Sequence, residues 1–288
     1  MLEQLSTSNR VWTRIFQLLK FLLLLQYSLA AKAAPLPGYH VDINTTSVSG
    51  ISSGGYMALQ FSTAHSDIVT GVGVIAGGPY RCAADGVNAA LGVCMQGQPN
   101  PQEAIAEIET AAANGSIAPP GNLSHQRVWL FSGYNDGVVR QPVMNSLYDS
   151  VTRYVPPSQV YYQNTLAAGH AMITQQYGAE CQLTDPPFVN DCDYDAAGLL
   201  LQHIYGKLTA PVTGLSAGKI ISFDQSAFSH QDGGSTGLAK VGYLYVPEAC
   251  ARLEVCRVHV AFHGCRQNAD EVGDAFYRHA GYNPWAEN

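Results

Sequence analysis

The feature that most constrains the fold of this chain is the pentapeptide GISSG at residues 50–54. It follows a β-prone stretch at residues 45–49 and precedes a helix-like stretch at residues 54–65. A serine between glycines in this strand–turn–helix context is typical of a nucleophile elbow, where the serine occupies a strained turn with its hydroxyl exposed. The flanking glycines let the strand and the helix approach closely, because they carry no Cβ. We therefore predict that Ser52 is a nucleophile.

The rest of the chain predicts one α/β domain around a mostly parallel, doubly wound sheet. The 288 residues are 47% hydrophobic and only 13% charged, which is enough to fill a sizeable core. Strand-like and helix-like stretches alternate, as they do in parallel sheets. The predicted strands are residues 69–75, 127–132, 159–164, 241–246 and 258–262, and the predicted helices are 101–113, 141–154, 194–205 and 268–280. Residues 79–100 and 175–193 are expected to be irregular surface loops.

The first 33 residues have the pattern of a secretory signal peptide. Arg10, Arg14 and Lys20 precede an apolar stretch at residues 21–29, and the tripeptide AKA at residues 31–33 fits a small-residue cleavage site. An uncleaved membrane anchor is the alternative, but the apolar stretch is shorter than the ~20 residues that a spanning helix needs. We expect a signal peptide at residues 1–33, a catalytic domain at residues 34–288, a secreted protein, and no stable membrane insertion after cleavage.

Charge and cysteine content narrow the possible partners. The net charge is −7 and no basic patch could follow a phosphate backbone, so we expect no nucleic-acid partner. Seven cysteines suit an oxidising compartment. Proximity in sequence predicts three disulfides and leaves Cys265 without a predicted partner. No residue spacing suggests a metal or a cofactor. The predicted pairs are Cys82–Cys94, Cys181–Cys192 and Cys250–Cys256.

A serine nucleophile needs a base and an acid that orients the base. Functional groups in open α/β sheets gather at the carboxyl ends of strands. Asp136 lies just beyond the strand predicted at residues 127–132, and His170 follows the strand predicted at residues 159–164. The order Ser52, Asp136, His170 is that of α/β-hydrolases. The alternatives are a turn-forming aspartate in an Asn-Asp-Gly sequence and an ordinary loop histidine.

A His-Gly pair at residues 263–264 follows the last predicted strand. Such a pair resembles the loop that supplies an oxyanion-hole N–H in α/β-hydrolases, where it normally precedes the nucleophile. Here it follows all three predicted catalytic residues, which suggests a circular permutation of the fold. An ordinary glycine turn with a structural histidine is the alternative.

These segments together resemble the circularly permuted poly(3-hydroxybutyrate) depolymerases. The resemblance is carried by SGISSGGYMA at 49–58, LFSG at 130–133 followed by Asn135-Asp136, AGH at 168–170, HGCRQ at 263–267 and GYNPWA at 281–286. It implies a secreted or periplasmic serine esterase that acts on a short-chain polyester without a cofactor. By position, it also implies that Ser52 is the nucleophile, His170 the base and Asp136 its orienting acid. The N–H groups of Ser53 and Cys265 would form the oxyanion hole.

One departure from the family concerns the end of the chain. The family continues with another strand, a Cys-Trp segment and a closing helix, whereas this chain stops at Asn288. We therefore expect the fold to lack its C-terminal part, which would contain the partner of Cys265. Two other functions remain open. One is a carbohydrate esterase of feruloyl or acetylxylan type, and the other is a noncatalytic polyester-binding protein on a hydrolase fold.

Overall fold

Five parallel strands form the central sheet of the chain. In the computed structural model, which describes residues 34–211, 217–228 and 237–287, these strands have the spatial order 10-1-2-3-4. The predicted signal peptide at residues 1–33 lies outside the described residues. The strands are β1 (Thr46–Ile51), β2 (Val69–Ile75), β3 (Arg127–Phe131), β4 (Val160–Gln163) and β10 (His259–Phe262). All four neighbouring pairs run parallel, so their carboxyl ends share one edge.

Helices cover both faces of this sheet. One face packs against α1 (Ser53–Ala64), α4 (Pro101–Ala113) and α5 (Gln141–Val151). The other face packs against α6 (Ala196–Tyr205). Adjacent strand residues serve opposite faces, as in β3, where Val128 and Leu130 join the first core and Trp129 and Phe131 join the second. The sheet is therefore doubly wound, as the sequence predicts.

Two glycines explain how closely α6 lies on the sheet. A Cβ at Gly73 would overlap the Leu200 side chain, and a Cβ at Gly71 would lie 2.7 Å from Ile204 Cγ2. Glycine inside a strand often marks such a close approach. Asp195 begins α6 by accepting a hydrogen bond from the Gly198 N–H at 2.9 Å.

The remaining elements are short. A three-stranded parallel sheet contains β5 (Met172–Thr174), β6 (Ala179–Glu180) and β7 (Val189–Asp191), in the order 5-7-6. A two-stranded sheet contains β8 (Lys219–Asp224) and β9 (Val241–Val246). The short helices are α2 (Val87–Leu91), α3 (Val93–Gln96), α7 (Glu248–Ala251), α8 (Ala269–Val272), α9 (Ala275–His279) and α10 (Tyr282–Trp285), and 3-10 turns occupy Ile43–Thr45, Pro120–His125, Pro157–Gln159 and Ser226–Phe228.

The described chain divides into two units. Of the described residues, the larger unit contains 37–211, 217–221 and 243–287, including the whole five-stranded sheet. The smaller contains residues 34–36, 222–228 and 237–242, and within it Ala34 forms a bridge with Phe223. No helix in the described ranges combines the length and the apolar character needed to cross a membrane.

The strand predicted at residues 241–246 is present with those bounds and belongs to the two-stranded sheet. Other sequence-based expectations about individual elements are wrong. The helix expected at 268–280 is split into α8 and α9, because Gly273 between them has a φ of 61°. Residues 175–193 are not wholly irregular, since they contain β6 and β7, and residues 79–100 contain α2 and α3.

Candidate active site

Ser52 occupies the turn between β1 and α1. Its φ of 56° and ψ of −125° are unusual for a residue with a side chain. Two hydrogen bonds hold this conformation: the Ser52 N–H donates to the Ile75 carbonyl at 2.9 Å, and the Tyr56 N–H donates to the Ser52 carbonyl at 3.0 Å. A strained residue between a strand and a helix is the geometry expected of a nucleophile elbow.

The loop after β10 lies beside this elbow. Gly50 in β1 is paired with Phe262 in β10, so the segments that follow both strands emerge together. A Cβ at Gly54 would collide with the carbonyls of Phe262 and His263, and a Cβ at Gly264 would lie 3.2 Å from the Ser52 Cβ. These two glycines therefore let the backbone of residues 263–265 come close to Ser52.

Asp136 and His170 form a buried pair. The His170 Nδ1 lies 2.7 Å from the Asp136 Oδ2, and their side chains are 9% and 1% exposed. The other carboxylate oxygen, Oδ1, accepts hydrogen bonds from the N–H groups of Val138 and Val139, both at 2.8 Å. The carboxylate is thus fixed at both oxygens. Because an ionised carboxylate only accepts hydrogen bonds, Nδ1 carries a proton and Nε2 is the nitrogen that can accept one.

The segment that supports His170 through hydrogen bonds lies within residues 175–193, which were expected to be irregular. The His170 N–H donates to Thr184 Oγ1 at 2.9 Å, and the preceding Gly169 N–H donates to the Cys181 carbonyl at 2.9 Å. Cys181 is joined to Cys192 by a disulfide. Sequence reasoning identified the histidine and the cysteine pair but not the connection between them.

All three predicted disulfides are present, namely Cys82–Cys94, Cys181–Cys192 and Cys250–Cys256. Cys265 has a free, exposed thiol. It directly follows Gly264, so its backbone belongs to the loop that approaches Ser52.

The sequence analysis did not identify Tyr56, yet this residue connects the elbow to the segment that is closed by the Cys82–Cys94 disulfide. Its hydroxyl donates to the carbonyl of Cys94, and burial raises the pKa of this tyrosine above its ordinary value. Cys94 ends a segment that exposes Val87, Leu91 and Val93. The sequence contains two signals of this link. One is the tyrosine one helical turn after the elbow serine, and the other is the loop closed by a pair of cysteines.

A second group of polar side chains lies within the sheet and not at its carboxyl edge. The Ser47 Oγ is 2.6 Å from His259 Nδ1, and the Ser49 Oγ is 2.8 Å from His259 Nε2 and 2.7 Å from the Tyr282 hydroxyl. Burial lowers the pKa of His259 to about 3, so its ring is neutral at ordinary pH. Ser47 and Ser49 are completely buried inside β1, which gives a substrate no access to them. We therefore regard this group as structural.

Within the described ranges, no three His, Cys, Asp or Glu side chains are grouped so that they could hold a metal ion. The groups that the structure brings to the carboxyl edge are the strained serine, the histidine–aspartate pair and the backbone N–H groups of the adjacent loop.

Comparisons with known proteins give consistent results. No family model matches the chain. A poly(3-hydroxybutyrate) depolymerase from Delftia acidovorans is 40% identical over 262 residues, and a polyhydroxybutyrate depolymerase from Talaromyces funiculosus is 40% identical over 261. Each alignment covers 88% of this chain. The chain spans about half (52%) of the Delftia protein and 75% of the Talaromyces protein.

Solved structures agree with the sequence relatives. The crystal structure of PHB depolymerase from Penicillium funiculosum has a TM-score of 0.81 and 39% identity, with 88% of this chain and 79% of that chain covered. A serine-to-alanine variant of a PHB depolymerase complexed with an R3HB trimer also has a TM-score of 0.81, with 38% identity. The fold of this chain is therefore that of an α/β-hydrolase.

Proposed function

Because the chain belongs to the polyhydroxybutyrate depolymerase family, we propose that it is a serine esterase that hydrolyses poly(3-hydroxybutyrate) to shorter hydroxyalkanoates. The single observation that carries this proposal is the buried hydrogen bond between His170 and Asp136. It supplies an oriented base at the same sheet edge as the strained Ser52. On this proposal Ser52 is the nucleophile, His170 the general base and Asp136 the group that orients it.

The proposed reaction proceeds through an acyl-enzyme. Ser52 Oγ attacks the ester carbonyl while its proton passes to His170 Nε2. Asp136 stabilises the imidazolium that forms, and His170 then returns the proton to the departing alkoxide, which leaves as a hydroxyl-terminated chain. A water molecule then attacks the acyl-enzyme carbonyl as the same nitrogen takes its proton. The bond between that carbon and Ser52 Oγ breaks, His170 returns the proton to Oγ, and the carboxylic acid is released.

The oxyanion of each tetrahedral intermediate needs donors close to Ser52. Ser53 is the first residue of α1, so its N–H has no acceptor within the helix. The Cys265 N–H is in the loop that approaches the Ser52 Cβ. We propose that these two N–H groups form the oxyanion hole, where the loss of one donor costs about 3–4 kcal/mol in the barrier.

Exposed apolar side chains near the candidate site favour a polyester over a charged or strongly hydrated substrate. Met57 follows the elbow, Tyr134 precedes Asp136 by two residues, and both are about half exposed, at 46% and 57%. Val87 and Leu91, at 68% and 61%, lie on the segment that Tyr56 tethers. Exposed apolar surface of this kind is typical of binding sites. We expect polyester or short-chain esters as substrates, no nucleic-acid partner, and no stable membrane insertion after cleavage of residues 1–33.

We also propose that the fold is circularly permuted. The loop at residues 263–265 follows β10, the latest of the sheet strands in the chain, yet β10 is the direct neighbour of β1. In α/β-hydrolases the loop with this role normally precedes the nucleophile. A permutation that moves the opening strand to a later position accounts for both facts.

Export from the cell is part of the proposal. Three disulfides are present in the folded chain, and disulfides persist in oxidising compartments. We propose that residues 1–33 direct export and are then removed. Amino-terminal sequencing of the exported protein should begin at Ala34, and a start at Met1 would contradict this.

The test of the function is hydrolysis of a poly(3-hydroxybutyrate) suspension and of a chromogenic short-chain ester. Ser52→Ala should abolish both activities, and a phosphonylating reagent should label the wild-type protein at Ser52. Ser53→Ala is the matched control, because it removes a neighbouring hydroxyl and keeps the backbone N–H. It should retain most of the activity.

Three results would contradict the proposal. Ser52→Ala protein with wild-type turnover would exclude Ser52 as the nucleophile. Wild-type protein that adsorbs to the polymer without hydrolysing it would indicate a binding protein. Faster hydrolysis of feruloylated or acetylated xylan than of the polyester would indicate a carbohydrate esterase.

A further inference from the structure

Gln267 is a buried glutamine that follows the loop beside the elbow by two residues. It is only 2% exposed. Its side-chain Oε1 accepts a hydrogen bond from the Gly264 N–H at 2.7 Å, and its Nε2 donates to the Phe188 carbonyl at 2.7 Å. These partners fix the orientation of the amide, because Gly264 offers a donor and Phe188 an acceptor. One side chain thus joins its own loop to Phe188, which is 79 residues from Gln267 in the chain.

At one end, the Gln267 side chain holds the Gly264 N–H, which belongs to the His263–Gly264 peptide, directly before the peptide that carries the Cys265 N–H. The carbonyl of that next peptide, Gly264 C=O, accepts from the Gln267 backbone N–H at 3.2 Å and lies 2.8 Å from His263 Nδ1. The Gly264 carbonyl and the Cys265 N–H belong to one planar trans peptide, so fixing the carbonyl also fixes the direction of the N–H. Because Gly264 is packed against Ser52, the direction of the Cys265 N–H affects the surroundings of the nucleophile.

At the other end, Gln267 reaches the segment that holds His170. The Phe188 carbonyl that accepts from Gln267 Nε2 also accepts from the Met172 N–H at 2.8 Å, and Met172 is two residues beyond His170. The same segment supplies Thr184, whose hydroxyl accepts the His170 N–H. The Gln267 amide is therefore bonded both to the loop beside the nucleophile and to the segment that supports the base.

We propose that Gln267 is a positioning residue for ester hydrolysis, which keeps the Cys265 N–H aligned with Ser52 and His170. This inference rests on the proposed function. It concerns the oxyanion, whose charge develops only as the ester carbonyl is attacked, so a misplaced donor weakens binding of the transition state more than binding of the substrate. Gln267 touches no substrate in this role: its side chain holds the Gly264 N–H, and it acts on the Cys265 N–H through the position of Gly264.

The test compares Gln267→Met with Gln126→Met on a soluble chromogenic ester. Gln126 is the matched control, because it is equally buried (2% exposed) and donates to two backbone carbonyls, those of Ser62 and Val69, on the opposite face of the sheet from α6. Gln267→Met should lower kcat by about 100-fold while KM changes by less than about 3-fold. It should weaken inhibition by an alkyl boronic acid, a transition-state analogue, by a similar factor. Gln126→Met should keep kcat and boronate affinity.

Gln267→Glu provides a second readout that does not depend on the methionine variant folding. A protonated carboxyl group can donate to Phe188 and accept from Gly264 as the amide does, whereas a carboxylate cannot donate. Burial raises the pKa of such a carboxyl. The kcat of Gln267→Glu relative to wild type should therefore fall as pH rises, while the corresponding ratio for Gln267→Met stays constant.

Either of two results would overturn the inference: wild-type kcat and boronate affinity in Gln267→Met, or a pH-independent ratio for Gln267→Glu. Failure of the proposed function is measured on other proteins and substrates: wild-type protein without ester hydrolysis, or Ser52→Ala protein with wild-type turnover, would remove the basis of this inference as well. Active wild-type protein with unaffected Gln267 variants would overturn the inference alone.

Discussion

At the scale of single residues, the candidate site depends on backbone conformation as much as on side-chain chemistry. Ser52 keeps a positive φ that costs an L-residue about 1–3 kcal/mol. The hydrogen bonds of its N–H and carbonyl, to Ile75 and from Tyr56, hold it there. The sequence revealed this residue because glycines at 50 and 54 make the strained turn recognisable. Gln267 went unrecognised because its importance lies in two backbone partners that no local pattern reveals.

The strain at Ser52 leads to a prediction about stability. Glycine adopts positive φ without a Cβ penalty, so Ser52→Gly should be more stable to urea than Ser52→Ala by about 1 kcal/mol. Both variants lack the hydroxyl and should be inactive, so the comparison isolates the backbone. Equal unfolding midpoints for the two variants, at equal m-values, would show that the turn is not strained.

At the scale of elements, the sequence predicted the central sheet well and the connections poorly. The bounds of β2 and α4 agree with the prediction to the residue, because β-branched runs and an Asn-Pro helix start are local signals. The small sheet of β5, β6 and β7 could not be predicted, since its strands have two or three residues and are defined by pairing between distant segments. For the same reason, the prediction placed His170 in a loop but did not identify the segment that supports it through hydrogen bonds.

The disulfides should therefore differ in their effect on function. Removing Cys181–Cys192 by a double alanine substitution should lower the free energy of unfolding by about 2–3 kcal/mol and also lower kcat, because the Cys181 carbonyl holds the Gly169 N–H next to His170. The matched control removes Cys250–Cys256, which joins α7, where Cys250 lies, to the segment that follows it. It should lose stability and keep kcat.

Urea titrations and single-turnover ester hydrolysis on both double variants would check this. The same loss of kcat in both, measured where both are folded, would show that the Cys181–Cys192 segment has no particular role in supporting His170.

At the scale of the whole molecule, one buried histidine sets a pH dependence of stability. His259 connects β10 to two serines of β1, and burial lowers its pKa to about 3 in the folded chain, whereas an unfolded histidine titrates near 6.5. Below pH 6.5 the unfolded chain therefore binds a proton that the folded chain does not. The free energy of unfolding should fall as pH decreases through this window, by up to about 1.4 kcal/mol per pH unit.

Urea unfolding of His259→Gln between pH 6.5 and 4 measures this contribution. The variant should be less stable than wild type at pH 7, and its stability should depend less on pH in that window. His125→Gln, which removes an exposed histidine, is the control and should keep the wild-type slope. An unchanged slope in His259→Gln would assign the acid sensitivity to other groups.

The pairing of β1 with β10 also determines when, during synthesis of the chain, the parts of the candidate site come together. Ser47 and His259 are neighbours in the sheet but 212 residues apart in the chain. Synthesis runs from the amino terminus and segments fold as they become available, so the strand with Ser52 exists long before the loop with Cys265. On the proposed mechanism, a partly made chain would carry its nucleophile but have no complete oxyanion hole. The connectivity would thus keep the esterase latent until the loop with Cys265 has been synthesised.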